Sequence, residues 1–171
     1  MTRHRGVVLA AAVAVGLALA ACGGPAPVEF GKEDLASIQK VIGDFVAGYN
    51  AQDSAKIAGL FTGSGSVMVP NSAVVHGFDS IKGFYDIRLG AQGARDLDLQ
   101  ATPTGQGKLA YAVGTYNVRL APEGVPESRD RGKVLFLFQK MPGNVWRIEI
   151  LMYSSDLPPV VPPAPEEEKK N

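Results

Sequence analysis

The first half of the folded region is patterned for helices, with apolar residues three or four positions apart. One amphipathic helix is predicted from Asp34 onward, and Asp53 is typical of the N-cap of a second helix over 54–61. A third helix is predicted after Gly77, where Asp79 can serve as the cap. The apolar faces of these helices are formed by Leu35, Ile38, Val41, Ile42, Phe45, Val46 and Tyr49, then Ile57, Leu60 and Phe61, then Ile81, Phe84, Tyr85 and Leu89.

The second half of the chain alternates apolar and polar residues, which is the period of β-strands. Residues 133–139 are apolar at both alternating sets of positions, which predicts a central strand covered on both faces. Pro142-Gly143 predicts a hairpin turn, and so does Gly105-Gln106-Gly107. Helices followed by a strand meander indicate an α+β domain whose sheet curls around the helices. The predicted strands are 67–69, 73–76, 97–102, 109–120, 133–139 and 145–153.

The N-terminus has the pattern of an export signal, with Arg3 and Arg5 ahead of an apolar stretch that ends in small residues. The stretch is shorter than the ~20 residues of a membrane span and is followed at once by Gly23-Gly24-Pro25. Its last four residues, Leu19-Ala20-Ala21-Cys22, resemble the lipobox of bacterial lipoproteins. The resemblance implies cleavage between Ala21 and Cys22 and a diacylglycerol on the Cys22 thiol. An ordinary secretory signal with a free thiol and an uncleaved anchor are the alternatives.

The cysteine and charge counts agree with an exported, membrane-tethered protein. Cys22 is the only cysteine, so the domain has no disulfide, and lipidation would account for the odd thiol. Without Arg3 and Arg5 the mature chain keeps 15 basic against 17 acidic residues, a net charge of −2. This balance gives no basic surface for nucleic acid. The predicted partner is therefore a bacterial membrane, reached through the lipid, with the domain facing the periplasm or the exterior.

Composition divides the chain into four predicted parts. Residues 1–21 are the signal peptide, and 22–33 are the lipidated cysteine and a Gly/Pro-rich flexible tether. Residues 34–157 are the folded domain. The proline-rich and charged segment 158–171 cannot form a regular ladder and is predicted to be a disordered tail.

Several segments of the domain, taken in order, resemble the ketosteroid-isomerase-like superfamily, also called nuclear-transport-factor-2-like or SnoaL-like, and within it the branch called domain of unknown function 4440. The resemblance implies a cone-shaped α+β fold, in which a curved antiparallel or mixed sheet wraps around about three helices and leaves an internal cavity. The segments that carry it are Tyr49-Asn50-Ala51-Gln52-Asp53, His76-Gly77-Phe78-Asp79, Ala112-Val113-Gly114-Thr115-Tyr116, Asp130-Arg131-Gly132-Lys133 and Trp146-Arg147-Ile148.

The catalytic residues that the resemblance implies are not present in this chain. The isomerases of the superfamily need a helical tyrosine and a carboxylate base on the following strand, and the corresponding positions here are Phe45 and Val69. Neither side chain can transfer a proton. His76 is the only histidine after the signal peptide, so neither a histidine-rich metal site nor a second base is available. The sequence therefore predicts no catalytic residues, no metal and no cofactor.

The preferred hypothesis is a lipoprotein whose domain binds a small apolar or amphipathic ligand, or a protein partner, without catalysis. In the alternative view, the side chains predicted to line the cavity only fill the core. A SnoaL-like enzyme that uses Tyr116, His76 or a water molecule is a second alternative. A third is a homodimeric interaction module, with Tyr111, Val113 and Thr115 of the outer sheet face in its interface. The predicted cavity lining is Phe45, Tyr49, Val69, Tyr85, Tyr116 and Tyr153.

Overall fold

The computed structural model describes residues 29–158. The predicted signal peptide, Cys22, most of the predicted tether and nearly all of the predicted tail lie outside these residues. Between residues 29 and 158, no helix is both long enough and apolar enough to cross a bilayer. The elements are α1 Lys32–Asn50, α2 Ser54–Ala58, β1 Phe61–Met68, β2 Val75–His76, α3 Phe78–Leu89, β3 Ala94–Gln106, β4 Leu109–Leu120, β5 Ser128–Met141 and β6 Val145–Ser155, with a 3₁₀ turn Pro142–Asn144 between the last two strands.

The six strands form one mixed sheet in the order β2-β1-β6-β5-β4-β3. β1 runs parallel to β6, and every other neighbouring pair is antiparallel. The three helices pack on one face of this sheet, and the sheet does not close into a barrel. The predicted α+β class, with a mixed sheet around about three helices, is confirmed.

The sheet is sharply curved, and two glycines on its helix-facing side allow the curvature. A Cβ atom at Gly114 of β4 would lie 1.8 Å from the carbonyl oxygen of Gln100, and one at Gly132 of β5 would lie 1.9 Å from that of Ser154. No side chain fits at such distances, so only glycine lets the neighbouring strands approach this closely. A register shift between Arg95 and Asp98 bends β3 further.

Helix α1 lies inside the curve and forms the centre of the core. Its buried residues Ile38, Ile42, Phe45 and Tyr49 repeat every three or four positions, as the sequence predicts. They face inner-side aromatic residues of the sheet, and the Phe45 and Phe136 rings lie edge to face with centroids 5.6 Å apart. The curved sheet and α1 are therefore held together chiefly by aromatic and branched aliphatic contacts.

Strand β1 begins earlier than predicted, and α2 ends earlier. The Gly-Ser run 63–66 favours a turn by itself, but β1 pairs with β6 at Phe61 and again from Ser66 to Met68, and these two contacts keep the run within one strand across a register shift. Helix α2 consequently stops at Ala58 and not at Phe61, and the carbonyl of Leu60 already accepts a hydrogen bond from the Ile148 amide. Asp53 caps α2 as predicted, accepting from the Lys56 amide at 2.9 Å.

Two further predictions about the elements are wrong. Asp79 is not the cap of α3, because the helix already begins at Phe78. Its N-cap is Gly77, whose φ of 76° suits glycine. Strand β5 is central in the sheet but is covered on one face only, so Leu135 on its outer face is exposed. The outer face of the sheet is thus partly apolar and lies open.

A buried carboxylate joins the start of α1 to the far end of the sheet. Asp34 accepts hydrogen bonds from the Trp146 indole at 2.9 Å, the Lys140 ammonium at 2.7 Å and the Gly31 amide at 3.0 Å. Trp146 is buried, and Phe30 packs edge-on against its ring. These three hydrogen bonds lower the pKa of Asp34 to about 2. Gly31 and Phe30, which precede α1, therefore also contact the core.

We expect Asp34→Asn to lower the free energy of unfolding at neutral pH by about 2 kcal/mol, as is typical for hydrogen bonds to a charged group. The pKa of Asp34 is about 2 in the folded protein and 3.8 ordinarily, so the unfolded chain binds the proton first. The wild type therefore loses this stability as the pH falls from about 4 to about 2. Denaturant unfolding over that pH range should show the two proteins converging. Asp44→Asn, which removes an exposed pair with Lys40 on the same helix, serves as the control.

Candidate functional site

A pocket lies between helices α1 and α3 and the inner face of the sheet. Helix α1 contributes residues from its last two turns, α3 contributes residues from its last two turns, and strands β3 to β6 form the opposite wall. The free space inside is about 40 Å³, which is room for about three water molecules. The lining residues are Phe45, Tyr49, Tyr85, Arg88, Leu97, Leu99, Tyr116, Val118, Val134, Leu151 and Tyr153.

The aromatic part of the wall consists of two groups of rings, one on the helices and one on the sheet. Phe45 and Tyr49, four residues apart on α1, both contact Tyr85 of α3, with ring centroids 5.9 and 6.1 Å away. On the sheet side Tyr116 and Tyr153 pack against each other at 5.5 Å. These rings make a rigid apolar surface, and four of the five carry a hydroxyl group.

A charged pair sits at one side of this aromatic wall. Arg88 and Asp130 are each about 15% exposed, and the closest approach is 3.6 Å, between Arg88 Nη2 and Asp130 Oδ2. Asp130 is held by other groups, since its Oδ2 accepts from the Tyr116 hydroxyl at 3.0 Å and its Oδ1 from the Ser155 hydroxyl at 2.6 Å. Nη1 of Arg88 donates to the Gln92 side chain at 2.9 Å. The pocket is therefore apolar with one cationic corner.

Burial raises the pKa of the lining tyrosines. It raises the pKa of Tyr153 to about 12, although the nearby Arg88 charge acts in the opposite direction. The pKa values of Tyr49, Tyr85 and Tyr116 are raised as well, again chiefly by burial. These hydroxyls are protonated at neutral pH and can donate hydrogen bonds. Because they are protonated, these hydroxyls do not act as bases toward a substrate.

Five of the six predicted lining residues line this pocket: Phe45, Tyr49, Tyr85, Tyr116 and Tyr153. The prediction for Val69 is wrong. Strand β1 ends at Met68 and the chain turns at Pro70-Asn71, so the alternation that would point Val69 inward stops before it. Val69 lies instead, beside Met68 and Pro70, at a groove that Val113, Leu135 and Met152 also line.

His76, the histidine considered as a substitute base, is not among the residues that line the pocket. It is exposed on the short strand β2, and its Nδ1 lies 2.8 Å from the Ser66 hydroxyl. Within residues 29–158, no group of three or more histidine, cysteine or acidic residues is arranged to hold a metal ion.

Arg88 is the functional residue that sequence reasoning missed. It lies three residues after Tyr85 and one before Leu89, on the inward face of α3, so helical spacing alone could have placed it in the cavity. An arginine on an otherwise apolar helix face is a recognisable signal. Arg88 was overlooked because the inward face of α3 was defined by its apolar residues only.

The outer face of the sheet carries a second feature, an exposed apolar patch formed by Tyr111, Val113, Leu135 and Met152. These residues are 37–56% exposed. Val113 pairs with Leu135, and Leu135 pairs with Met152, so the patch crosses three neighbouring strands. We call it the outer patch. Tyr111 and Val113 of the predicted dimer interface belong to it, and Thr115 lies next along β4.

Comparison with known proteins places the fold. No family model matches the chain, and no curated protein matches it either. Solved structures do match. A ketosteroid isomerase-like protein from Erwinia carotovora atroseptica is 16% identical, covers 75% of this chain and 100% of its own, and has a TM-score of 0.66. An NTF2-like protein with a cystatin-like fold from Novosphingobium aromaticivorans is 20% identical, covers 86% and 90%, and has a TM-score of 0.63.

A third structure, an NTF2-like superfamily protein from Salmonella enterica serovar Typhimurium, is 20% identical, covers 77% of this chain and 97% of its own, and has a TM-score of 0.65. The fold predicted from the resemblance is therefore confirmed as that of the ketosteroid-isomerase-like and NTF2-like proteins. Membership of the unknown-function branch and lipidation at Cys22 stay predictions.

Proposed function

Starting from the NTF2-like fold, we propose that this protein is a bacterial lipoprotein, anchored through Cys22, whose extracytoplasmic domain binds a small amphipathic molecule in its pocket without catalysing a reaction. One observation carries the proposal, which is the convergence of hydrogen-bond donors on an otherwise apolar pocket. Sites of this kind, with mostly apolar walls and a few placed polar groups, are typical of small-molecule binding.

The donors come from separate elements. Tyr49 belongs to α1, Arg88 to α3 and Tyr153 to β6, and all three line the same pocket. The walls around them are Phe45, the leucines of β3 and β6, and two valines. A ligand with an apolar body and one oxygen acceptor matches this arrangement. Its body would gain about 25 cal/mol for each Å² of apolar surface removed from water.

The ionisable groups at the pocket favour binding over proton transfer. Arg88 stays charged at any physiological pH, and the tyrosines are protonated. The neighbouring carboxylate, Asp130, accepts hydrogen bonds from Tyr116 and Ser155 and is not among the residues that line the pocket. A catalytic base needs a free lone pair directed at its substrate. This arrangement supports a binding site more than a site of the isomerase type.

The size of the pocket limits how a ligand can fit. About 40 Å³ of free space accepts a polar group of a few atoms and not a whole drug-sized molecule. Leu99 and Tyr153 are the partly exposed apolar residues of the lining, so the mouth lies beside them. We propose that the polar group enters and that the apolar body rests against these two residues.

We expect Leu99→Trp to abolish binding of the neutral amphipathic probe 2-phenylethanol, because the larger ring fills the mouth. Leu109→Trp, the same change on the outer sheet face, should leave binding unchanged. Ligand-observed NMR on the full chain measures both, and thermal unfolding checks that each variant is folded. Equal binding by the two variants, or no binding by the wild type, would count against the pocket.

Anchoring is tested separately. We expect Cys22→Ala to move the protein from the membrane fraction to the soluble fraction, or to leave it with an uncleaved signal peptide, because the acyl chains on Cys22 supply the attachment. Fractionation of the native host followed by mass spectrometry of the N-terminal peptide measures this. Unchanged membrane association of the variant would contradict lipidation at this residue.

A second candidate function is homodimerisation, which the outer patch favours. Exposed apolar residues that adjoin across three strands are typical of a protein interface. We expect Val113→Glu to reduce the light-scattering mass of the full chain from dimer to monomer, because a charge would be buried without a partner. Val125→Glu is a matched control, since Val125 is 58% exposed and Val113 56%, but Val125 lies in the β4–β5 loop. A monomeric wild type would rule the interface out.

A further inference from the structure

The guanidinium of Arg88 retains hydrogen-bonding capacity inside the pocket. A guanidinium has five N–H donors. Among the described residues, its side-chain neighbours are the exposed Gln92, at 2.9 Å, Asp130, whose nearest atom is 3.6 Å away, and the Tyr49 hydroxyl, which accepts from it. The distance to Asp130 exceeds that of a charge-assisted hydrogen bond, which is about 2.7–2.9 Å. The buried cation is therefore only loosely matched by its neighbouring carboxylate.

Asp130 is not free to close this distance. Tyr116 from β4 and Ser155 from β6 donate to its two oxygens, so one hydrogen bond from each neighbouring strand fixes the carboxylate. These two hydrogen bonds set the orientation of the carboxylate, and in that orientation its nearest atom lies 3.6 Å from Arg88. The sheet thus holds Asp130 close enough to offset part of the Arg88 charge. The planar edge of the Arg88 guanidinium keeps N–H groups that can donate to a ligand.

The free space beside Arg88 has the dimensions of a small polar group. Its 40 Å³ corresponds to about three water-sized groups, and a carboxylate has three heavy atoms. Tyr49 and Tyr153 line the same space, and their hydroxyls stay protonated because burial raises their pKa values. Two hydroxyl donors and one guanidinium are a donor set suited to a small anion.

This inference rests on the proposed function and names its ligand class. We infer that the pocket binds an amphipathic monocarboxylate, with the carboxylate on Arg88 and the hydroxyls of Tyr49 and Tyr153, and with the apolar body against Leu99. Arginine is suited to this role because its planar donor pairs match the two oxygens of a carboxylate. Asp130 acts as a positioning residue, since it orients Arg88 without contacting the ligand.

The test compares two probes that differ in charge and hardly in shape, phenylacetate and phenylacetamide. Calorimetric titration of the full chain in nanodiscs, against empty nanodiscs, should show phenylacetate binding about tenfold or more tightly, as expected for hydrogen bonds to a charged group. Arg88→Gln should reduce the phenylacetate affinity to that of the amide and leave the amide affinity nearly unchanged. Arg131→Gln, at an exposed arginine on the outer face, should change neither.

Each outcome decides a different point. Equal affinities of the two probes in the wild type would overturn the inference that the ligand is a carboxylate, and would still support the proposed binding pocket. Binding of neither probe would overturn both proposals, as would binding that Leu99→Trp does not affect. Arg88→Lys covers the case in which Arg88→Gln does not fold. Lysine keeps the charge but lacks the planar donor pair, so this variant should bind phenylacetate severalfold more weakly. An unchanged affinity would overturn the contact of Arg88 with both carboxylate oxygens.

Discussion

The close approach of neighbouring strands at two glycines determines the shape of this domain. At Gly114 and Gly132 the inner face of the sheet has no room even for a methyl group, because a carbonyl oxygen of the adjacent strand occupies that position. The sheet can therefore curve around α1 and not pack flat against it. The contact of α1 with the inner face of the sheet, such as that between the Phe45 and Phe136 rings, lies inside this curve.

Two ion pairs lie at opposite ends of strand β5, Asp34 with Lys140 and Asp130 with Arg88, and their geometries differ. Asp130 and Lys140 are ten residues apart on β5, a distance of about 33 Å along the strand. At the Lys140 end, Asp34 accepts three hydrogen bonds, from Lys140, Trp146 and Gly31, and the contact closes the core. At the other end, Asp130 holds Arg88 at 3.6 Å and the pair borders a pocket. A closed ion pair stabilises the fold, whereas a loose one leaves a charge that a ligand can use.

Local periodicity was enough to predict much of the fold. The helical face of α1 and the bounds of β4, 109–120, follow from patterns within one element. The prediction was wrong at β1, where distant pairing with β6 overrides the turn preference of a Gly-Ser run, and at Val69, where the strand ends. Arg88 was missed because the inward face of α3 was defined by its apolar residues only, although the helical spacing places Arg88 on that face. The Asp34–Lys140 pair, more than a hundred residues apart, carries no local signal.

The parallel pairing of β1 with β6 also bears on how the protein folds. Phe61 pairs with Ile148 and Met68 with Met152, so each contact joins residues more than 80 positions apart. Neighbouring antiparallel strands can form hairpins early, and β1 can pair with β2 in this way, but its other edge has to wait until the last strand is present. Contacts of such long range slow folding. A chain that is synthesised from its N-terminus therefore has this edge of β1 open until β6 has followed it. During that interval β1 presents an open strand edge, which is a site where another chain, such as a chaperone, could bind.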